Sequence, residues 1–184
     1  LFVRSLEGLF VEFSPKKRVF LDRKEKYKDG SGIYSVFEMA NCQKCGQEYI
    51  IGKTIIKDGK SYLVQTSSSE KPEFYFISDK EVKLEFDEDD SIDEKSNTSS
   101  LEKYRLCLAC GRITPYTEKT IYDCCKSNDE NKIVTVYNLK YTGKGKESNF
   151  CPACGAIKKG LIKRFLTANQ PATFAVAKSL YDAI

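Results

Sequence analysis

The residues with the clearest chemical potential are eight cysteines arranged in four pairs. Three pairs have the form Cys-x-x-Cys-Gly, at residues 42–46, 107–111 and 151–155, and the fourth pair is adjacent. Two residues between cysteines allow one tight turn to direct both sulfurs at a single ion, and the following Gly can adopt positive φ. Paired thiols in this number match two tetrahedral four-cysteine sites with Zn–S bonds of about 2.3 Å. The sequence therefore predicts two structural Zn2+ ions, with the ligands Cys42, Cys45, Cys107, Cys110, Cys124, Cys125, Cys151 and Cys154.

Two ways of sharing these ligands are open. Cys107 and Cys110 lie close in sequence to Cys124 and Cys125, which favours a local inner site and leaves the first and last pairs to form an outer site. The alternative joins the second pair to the last and the first pair to the adjacent cysteines. Adjacent cysteines are an awkward chelate, so one of them is a candidate spectator. In that case the inner site has three protein sulfurs and a further ligand.

Three other uses of the cysteines compete with zinc. An even cysteine count can indicate a disulfide framework, but 184 residues without a signal peptide exceed the usual disulfide-stapled domain. The Cys-x-x-Cys-x-x-Cys run that opens many iron–sulfur cluster sites is absent. A rubredoxin-like iron site, and with it an electron carrier, remains an alternative because soft tetrahedral sulfur sites accept iron as well as zinc.

Other absences limit the function classes. The chain has no histidine, which removes Ser-His and Cys-His nucleophiles and the commonest general base at neutral pH. All-cysteine zinc sites are closed, so catalysis within this chain is not expected. No apolar run approaches the roughly 20 residues that a membrane-spanning helix needs. Paired cysteines and the absence of a signal peptide favour a reducing, cytoplasmic compartment.

The predicted fold is mostly β with a C-terminal helix, built as zinc-ribbon-like lobes on short antiparallel strands. β-rich runs separated by turn residues predict hairpins around residues 14–18 and around Asp58-Gly59. Further strands are predicted at Tyr34–Ala40, Phe74–Ile77, Tyr104–Leu108 and Ile133–Leu139. Pro171 is suited to the first turn of a helix, and apolar residues recur at helical spacing from Phe174 to Ile184.

The chain is interpreted as one zinc-stabilised module cut from a larger protein. Residues 79–103 are acidic, then rich in Ser, Asn and Thr, and are predicted to be a flexible linker. Residues 1–78 with 147–170 form the predicted outer zinc lobe, residues 104–146 the inner zinc lobe, and residues 171–184 a helix that leads to the next domain.

Four stretches together resemble the cysteine-rich segment inserted between the two RecA-like lobes of large bacterial DEAD/DEAH-box helicases of superfamily 2. They are the aromatic-x-Arg-x-x-x-Gly pattern at Phe2, Arg4 and Gly8, the Cys-x-x-Cys-Gly followed by Gly52, the Cys-Pro-x-Cys-Gly at 151–155, and the apolar C-terminal helix. The resemblance implies a zinc-binding accessory domain of an ATP-dependent DNA helicase, with flanking RecA-like lobes as partners. ATPase motifs are absent here, so any ATP hydrolysis would belong to the parent protein.

Under this interpretation the basic surface contacts DNA. The net charge of +4 combines a strongly acidic segment at 85–100 with a more basic remainder. The competing hypothesis is a protein-docking module that presents Phe174, Leu180 and Tyr181 and never contacts nucleic acid. The candidate phosphate-binding and base-stacking residues are Lys16, Lys17, Arg18, Arg23, Lys24, Tyr27, Lys158, Lys159, Lys163 and Arg164.

Overall fold

The fold was obtained as a computed structural model. It describes residues 7–13, 16–30, 32–67, 70–77, 100–117, 124, 132–140 and 149–165. Within these ranges the regular structure is antiparallel β, and no α-helix occurs. The mostly β prediction is therefore confirmed, whereas the predicted helix at 171–184 lies outside the described residues.

Twelve strands are present in the described ranges. The first six are β1 (Phe10–Glu12), β2 (Arg18–Phe20), β3 (Lys26–Asp29), β4 (Gly32–Ser35), β5 (Phe37–Cys42) and β6 (Glu48–Lys57). The remaining six are β7 (Lys60–Val64), β8 (Glu73–Ile77), β9 (Ser100–Cys107), β10 (Ile113–Pro115), β11 (Ile133–Lys140) and β12 (Ile162–Arg164).

Ten of the strands form one sheet, in the order β10-β9-β11-β8-β6-β5-β1-β2, with β12 also on β5 and β7 also on β6. β3 and β4 form a separate two-stranded sheet. Both predicted hairpins are present: β1 pairs with β2, and β6 pairs with β7 across a turn in which Asp58 and Gly59 have φ of 51° and 70°. Positive φ at both positions suits the tight hairpin turn that Asp-Gly favours.

Strand β6 changes partners at Gly52. Its first half lies between β5 and β8, and its second half leaves that position to pair with β7. A Cβ atom on Gly52 would lie 2.5 Å from the Val64 carbonyl oxygen and 2.8 Å from a Leu63 methyl group. The close approach of β7 at this point therefore requires a residue without a side chain.

The central sheet is covered on both faces. Alternate residues along a strand point to opposite sides, and Met39, Ile50, Tyr75 and Val136 belong to one buried cluster with Leu9. Their neighbours in sequence belong to a second cluster on the other face, made of Ala40, Cys42, Tyr49, Ile51, Phe74, Phe76, Tyr137, Leu139, Phe150, Cys151, Leu161 and Ile162. The first and last described segments meet on this body, because a Cβ atom on Gly8 would lie 3.6 Å from the Phe165 carbonyl oxygen.

The two predicted zinc lobes share the central sheet. β9 and β11, from the segment interpreted as the inner lobe, pair with each other, and β11 continues the sheet onto β8. β9 starts at Ser100, so residues 100–103 of the predicted linker are part of a strand. Leu101 packs against the second buried cluster, which gives this end of the acidic segment an apolar anchor.

Candidate metal centres

The first and last Cys-x-x-Cys pairs converge on one point. Cys42 Sγ lies 4.0 Å from Cys154 Sγ, Cys45 Sγ lies 3.7 Å from Cys151 Sγ, and all four sulfurs lie within 4.8 Å of one another. A regular tetrahedron with metal–sulfur bonds of about 2.3 Å has edges of about 3.8 Å. The cluster thus has the dimensions that a single tetrahedral Zn2+ requires, and its sulfurs are too far apart for disulfide bonds, whose S–S distance is about 2.05 Å.

Strand pairing accounts for this convergence. Cys42 ends β5 and pairs with Ile162 of β12, while the backbone N–H of Gln43 donates to the Leu161 carbonyl oxygen at 2.9 Å. The segment that carries the last cysteine pair is thereby held against the turn that carries the first. Residues more than 100 positions apart in sequence form one site because β12 returns to the edge of β5.

The three Cys-x-x-Cys-Gly turns share one backbone arrangement. In each, the N–H of the first cysteine donates to the carbonyl oxygen five residues later, as from Cys42 to Gln47 at 2.8 Å. The Gly after the second cysteine has positive φ, between 65° and 79°. In the first turn, the N–H of Lys44 points to Cys42 Sγ at 3.4 Å. The expectation drawn from the Gly positions is confirmed.

The second cluster contains Cys107, Cys110 and Cys124, whose sulfurs also lie within 4.8 Å of one another. Cys125, the remaining predicted ligand, lies outside the described residues. This grouping corresponds to the predicted inner site of Cys107, Cys110 and the adjacent pair, with the first and last pairs in the outer site. It does not correspond to the alternative that joins the second and last pairs. Three sulfurs supply three corners of a tetrahedral site.

The second turn is embedded in the protein, whereas the first is at the surface. Cys107 is 1% exposed, the N–H of Ser35 donates to the Ala109 carbonyl oxygen at 2.7 Å, and the N–H of Leu63 donates to the Gly111 carbonyl oxygen at 2.8 Å. By contrast, residues 43–46 of the first turn are exposed. The backbone of the second turn therefore joins β4 and β7 to the end of β9.

The thiols differ in their affinity for protons. A hydrogen bond from the Cys110 side chain, supported by the backbone N–H groups of Cys110 and Ala109, lowers the pKa of Cys107 to about 5. Burial raises the pKa of Cys151 to about 12. Burial likewise raises the pKa of Cys45. A bound cation would favour the thiolate at every ligand.

None of the seven cysteines in the described ranges is part of a disulfide bond. The two clusters supply four and three soft donors, a set suited to Zn2+ and also to iron. The structure thus supports a protein with two candidate metal sites.

Tyr49, which is not among the residues predicted from the cysteine spacing, contacts the first cluster directly. Its hydroxyl donates to Cys151 Sγ at 3.0 Å, and the residue is 0% exposed. Burial and the neighbouring sulfur raise the pKa of Tyr49. The available signal was its position in the strand after the first cysteine turn, on the same face as Ile51 and the second buried cluster.

Several predicted nucleic-acid residues interact within the protein. Arg18 forms an ion pair with the buried Glu12 at 3.2 Å, and its guanidinium lies 4.3 Å from the centre of the Tyr27 ring. Tyr27 in turn packs against Phe20, with ring centres 5.7 Å apart, and the Lys24 ammonium lies 4.5 Å from the centre of the Phe20 ring. The three candidates Arg18, Lys24 and Tyr27 thus form a cation–aromatic cluster with Phe20 around β2 and β3.

Arg23 and Arg164 surround a buried carboxylate. Arg164 Nη1 lies 3.1 and 3.4 Å from the two Glu38 oxygens, and its Nη2 donates to Thr66 Oγ1 at 2.6 Å. Arg23 Nη2 lies 3.5 Å from Glu38, which is 1% exposed. Both guanidinium groups therefore compensate the buried Glu38 carboxylate of β5, Arg164 from a mostly buried position and Arg23 from the surface.

The other five candidates are exposed lysines. Lys16 and Lys17 lie at the β1–β2 tip, and Lys158, Lys159 and Lys163 lie in the segment that leads into and through β12. β1 and β12 pair with successive parts of the same edge of β5. All five lysines are available to a partner at the surface of the described part of the chain.

A family model, the YjiV N-terminal domain, matches residues 19–166. The chain belongs to this family. The matched region contains both cysteine clusters and all of the central sheet except β1 and the part of β2 before Val19. Comparisons with curated proteins and with solved structures gave no match. In the described part of the chain, no helix has the length and apolar character needed to cross a membrane.

Proposed function

We propose that this domain is a structural zinc-binding module. The observation that carries the proposal is the first cluster, whose sulfur–sulfur distances of 3.7 and 4.0 Å are close to the edge of a zinc–tetrathiolate tetrahedron. Four thiolates complete the coordination of Zn2+ and leave no position for a water or substrate. The proposed role of the metal is therefore to stabilise the fold.

The second cluster is proposed to hold a second Zn2+ with three cysteines and a fourth ligand. Apparent zinc-binding free energies of about 10–16 kcal/mol in small modules exceed the net stability of many domains. The first ion would join the last cysteine turn to the end of β5, and the second would join the turn after β9 to Cys124. The four-cysteine coordination of the first site and the absence of histidine from the sequence favour a non-catalytic role.

The first prediction concerns metal content. Protein purified under reducing conditions is expected to contain zinc by elemental analysis, with a lower zinc content in Cys45→Ser because a serine hydroxyl is a poor zinc ligand. Cys45→His is the matched control: Cys45 is exposed, so an imidazole can be accommodated and can replace the thiolate as a ligand. Native protein without metal would overturn the proposal, and red, iron-containing protein would support the rubredoxin-like alternative.

A finer proposal is that the module is an accessory domain of a DEAD/DEAH-box DNA helicase, with RecA-like lobes and DNA as partners. Its support is the sequence resemblance together with the exposed lysines at the β1–β2 tip and near β12. The family match and the fold add no helicase feature. A cytoplasmic location and the docking role of residues 174–181, which lie outside the described ranges, stay predictions.

The second prediction tests DNA contact. If the β1–β2 tip binds phosphates, the double variant Lys16→Ala/Lys17→Ala should reduce the salt dependence of single-stranded DNA binding, by about 0.7 in the log–log slope per lost contact. The matched control is Lys57→Ala/Lys60→Ala, which removes the same charge from the exposed β6–β7 tip. Equal effects of the two double variants would exclude a specific role for the β1–β2 tip. Failure of the native protein to bind DNA would favour the docking hypothesis.

A further inference from the structure

Tyr49 is placed between the first cysteine cluster and the buried face of the sheet. Its hydroxyl donates to Cys151 Sγ at 3.0 Å, while its ring packs against Phe76 with centres 5.8 Å apart. Phe76 continues the row to Tyr137, with ring centres 6.4 Å apart. Strand register sets this row, because Tyr49 pairs with Phe76 and Phe76 pairs with Tyr137.

A hydroxyl with no solvent access needs an acceptor, because an unsatisfied buried polar group is destabilising. The acceptor here is a sulfur of the proposed metal site, and Cys151 is itself 0% exposed. A packed ring holds the donor in one orientation, so the hydrogen bond restricts the position of the sulfur. Donation to a thiolate also withdraws electron density from it, which weakens its reaction with electrophiles and oxidants.

The four sulfurs of the cluster are consequently unequal. Cys45 is exposed, Cys154 is partly exposed, and Cys42 and Cys151 are buried. Cys42 receives a backbone N–H from Lys44, and Cys151 receives the Tyr49 hydroxyl. The side of the cluster that faces the sheet is therefore buried and includes the Tyr49 side-chain donor. The outer side is open to solvent at Cys45, which accepts a backbone N–H from Gln47.

We propose that Tyr49 is a positioning residue for the first metal centre: its hydroxyl fixes Cys151 in its metal-binding orientation and lowers the reactivity of that thiolate. This inference rests on the proposed function, since it requires a metal at the cluster. Tyr49 is thereby assigned as the residue that protects the inner side of the site from metal loss and from chemical modification of its sulfur. Chemical modification is expected to begin at the exposed Cys45.

The test uses Tyr49→Phe, which keeps the ring in its buried row and removes only the hydroxyl. Loss of hydrogen bonds to metal ligands typically lowers metal affinity about 10–100-fold. The rate or the equilibrium constant of zinc transfer to a chromophoric chelator should therefore be at least about 10-fold higher for Tyr49→Phe than for native protein. In the Co2+-loaded protein, the sulfur-to-metal charge-transfer band should move to lower energy. Alkylation mapped by mass spectrometry should reach Cys151 earlier relative to Cys45.

Tyr137→Phe is the matched control, because it removes a tyrosine hydroxyl from the same ring row and Tyr137 is 5% exposed. It is expected to leave the charge-transfer band and the alkylation order unchanged. If Tyr49→Phe does not fold, 3-fluorotyrosine incorporated at position 49 provides a second test. Its more acidic hydroxyl should strengthen the hydrogen bond and move the band to higher energy.

The outcomes separate the two levels of the proposal. Native protein that contains no metal would reject the proposed function. Native protein that contains zinc, with a Tyr49→Phe variant that matches Tyr137→Phe in metal transfer, spectrum and alkylation order, would reject the role of Tyr49 alone. An unshifted band with fluorotyrosine would also reject it.

Discussion

Replacement of Cys107 by serine is expected to destabilise the protein by about 4 kcal/mol or more, the range associated with loss of a metal site. Cys107 is 1% exposed, and its turn is hydrogen-bonded to β4 through Ala109 and to β7 through Gly111. Loss of the ion at this cluster would release a turn that several strands share. Thermal unfolding of the zinc-loaded variant, followed by circular dichroism, measures the effect.

Cys45→Ser provides the comparison for this result. It also removes one thiolate from a proposed zinc site, but its turn is exposed and makes fewer contacts with the sheet. The fall in unfolding temperature should therefore be smaller than for Cys107→Ser. Equal or reversed effects would show that the burial of the second turn does not determine its contribution to stability.

The second large effect is expected for Arg164→Ala, which removes the closest cation from the buried Glu38 carboxylate. Removal of one partner from a buried ion pair destabilises by about 3–5 kcal/mol because the remaining charge lacks compensation. Arg23 remains, at 3.5 Å from Glu38, so the lower end of that range is expected. Urea unfolding of the variant measures the loss, and the double variant Glu38→Gln/Arg164→Ala should recover part of it.

The contribution of Glu38 to the stability of the protein is also expected to depend on pH. Burial raises its pKa above the ordinary value of 4.5, although Arg164 and Arg23 oppose the shift. The folded protein therefore binds more protons than the unfolded chain above pH 4.5, and the contribution of Glu38 to stability falls as pH rises through this window. Glu38→Gln should remove that slope, and Arg164→Ala should extend it to higher pH.

The matched control for the pH experiment is Glu25→Gln, which removes a carboxylate from an exposed position. For each variant, the slope of the unfolding free energy against pH is taken as the difference from that of native protein. The contribution from protonation of the cysteine ligands then cancels. A slope that is the same in Glu38→Gln and in native protein would show that Glu38 is ionised alike in the folded and unfolded states.

Local patterns in the sequence were sufficient for much of the fold. The Asp58-Gly59 turn and the β-rich runs on either side predicted β6 and β7, because turn chemistry and strand propensity act over a few residues. β3, β10 and β12 were missed. Three or four residues, such as Lys26–Asp29 with its charged side chains, give no strong periodic signal and form strands because a partner lies beside them.

The candidate sites likewise combine features set by local spacing with features set by strand register across the sheet. Spacing identified the three Cys-x-x-Cys turns, and separation along the chain favoured the grouping that the sulfurs adopt. The hydrogen bond from Tyr49 to Cys151 and the position of Arg164 against Glu38 depend on strand register across the sheet. Contacts between residues more than 100 positions apart cannot be derived from local pattern, which is why Arg164 was interpreted as a surface residue.

The meeting of Gly8 with Phe165 has a consequence for the order in which the strands could be linked along the chain. The first and last described segments lie side by side, with Leu9 and Phe165 packed in the same buried cluster. The same geometry allows circular permutation, since a short bridge between these points would close the backbone without separating any paired strands.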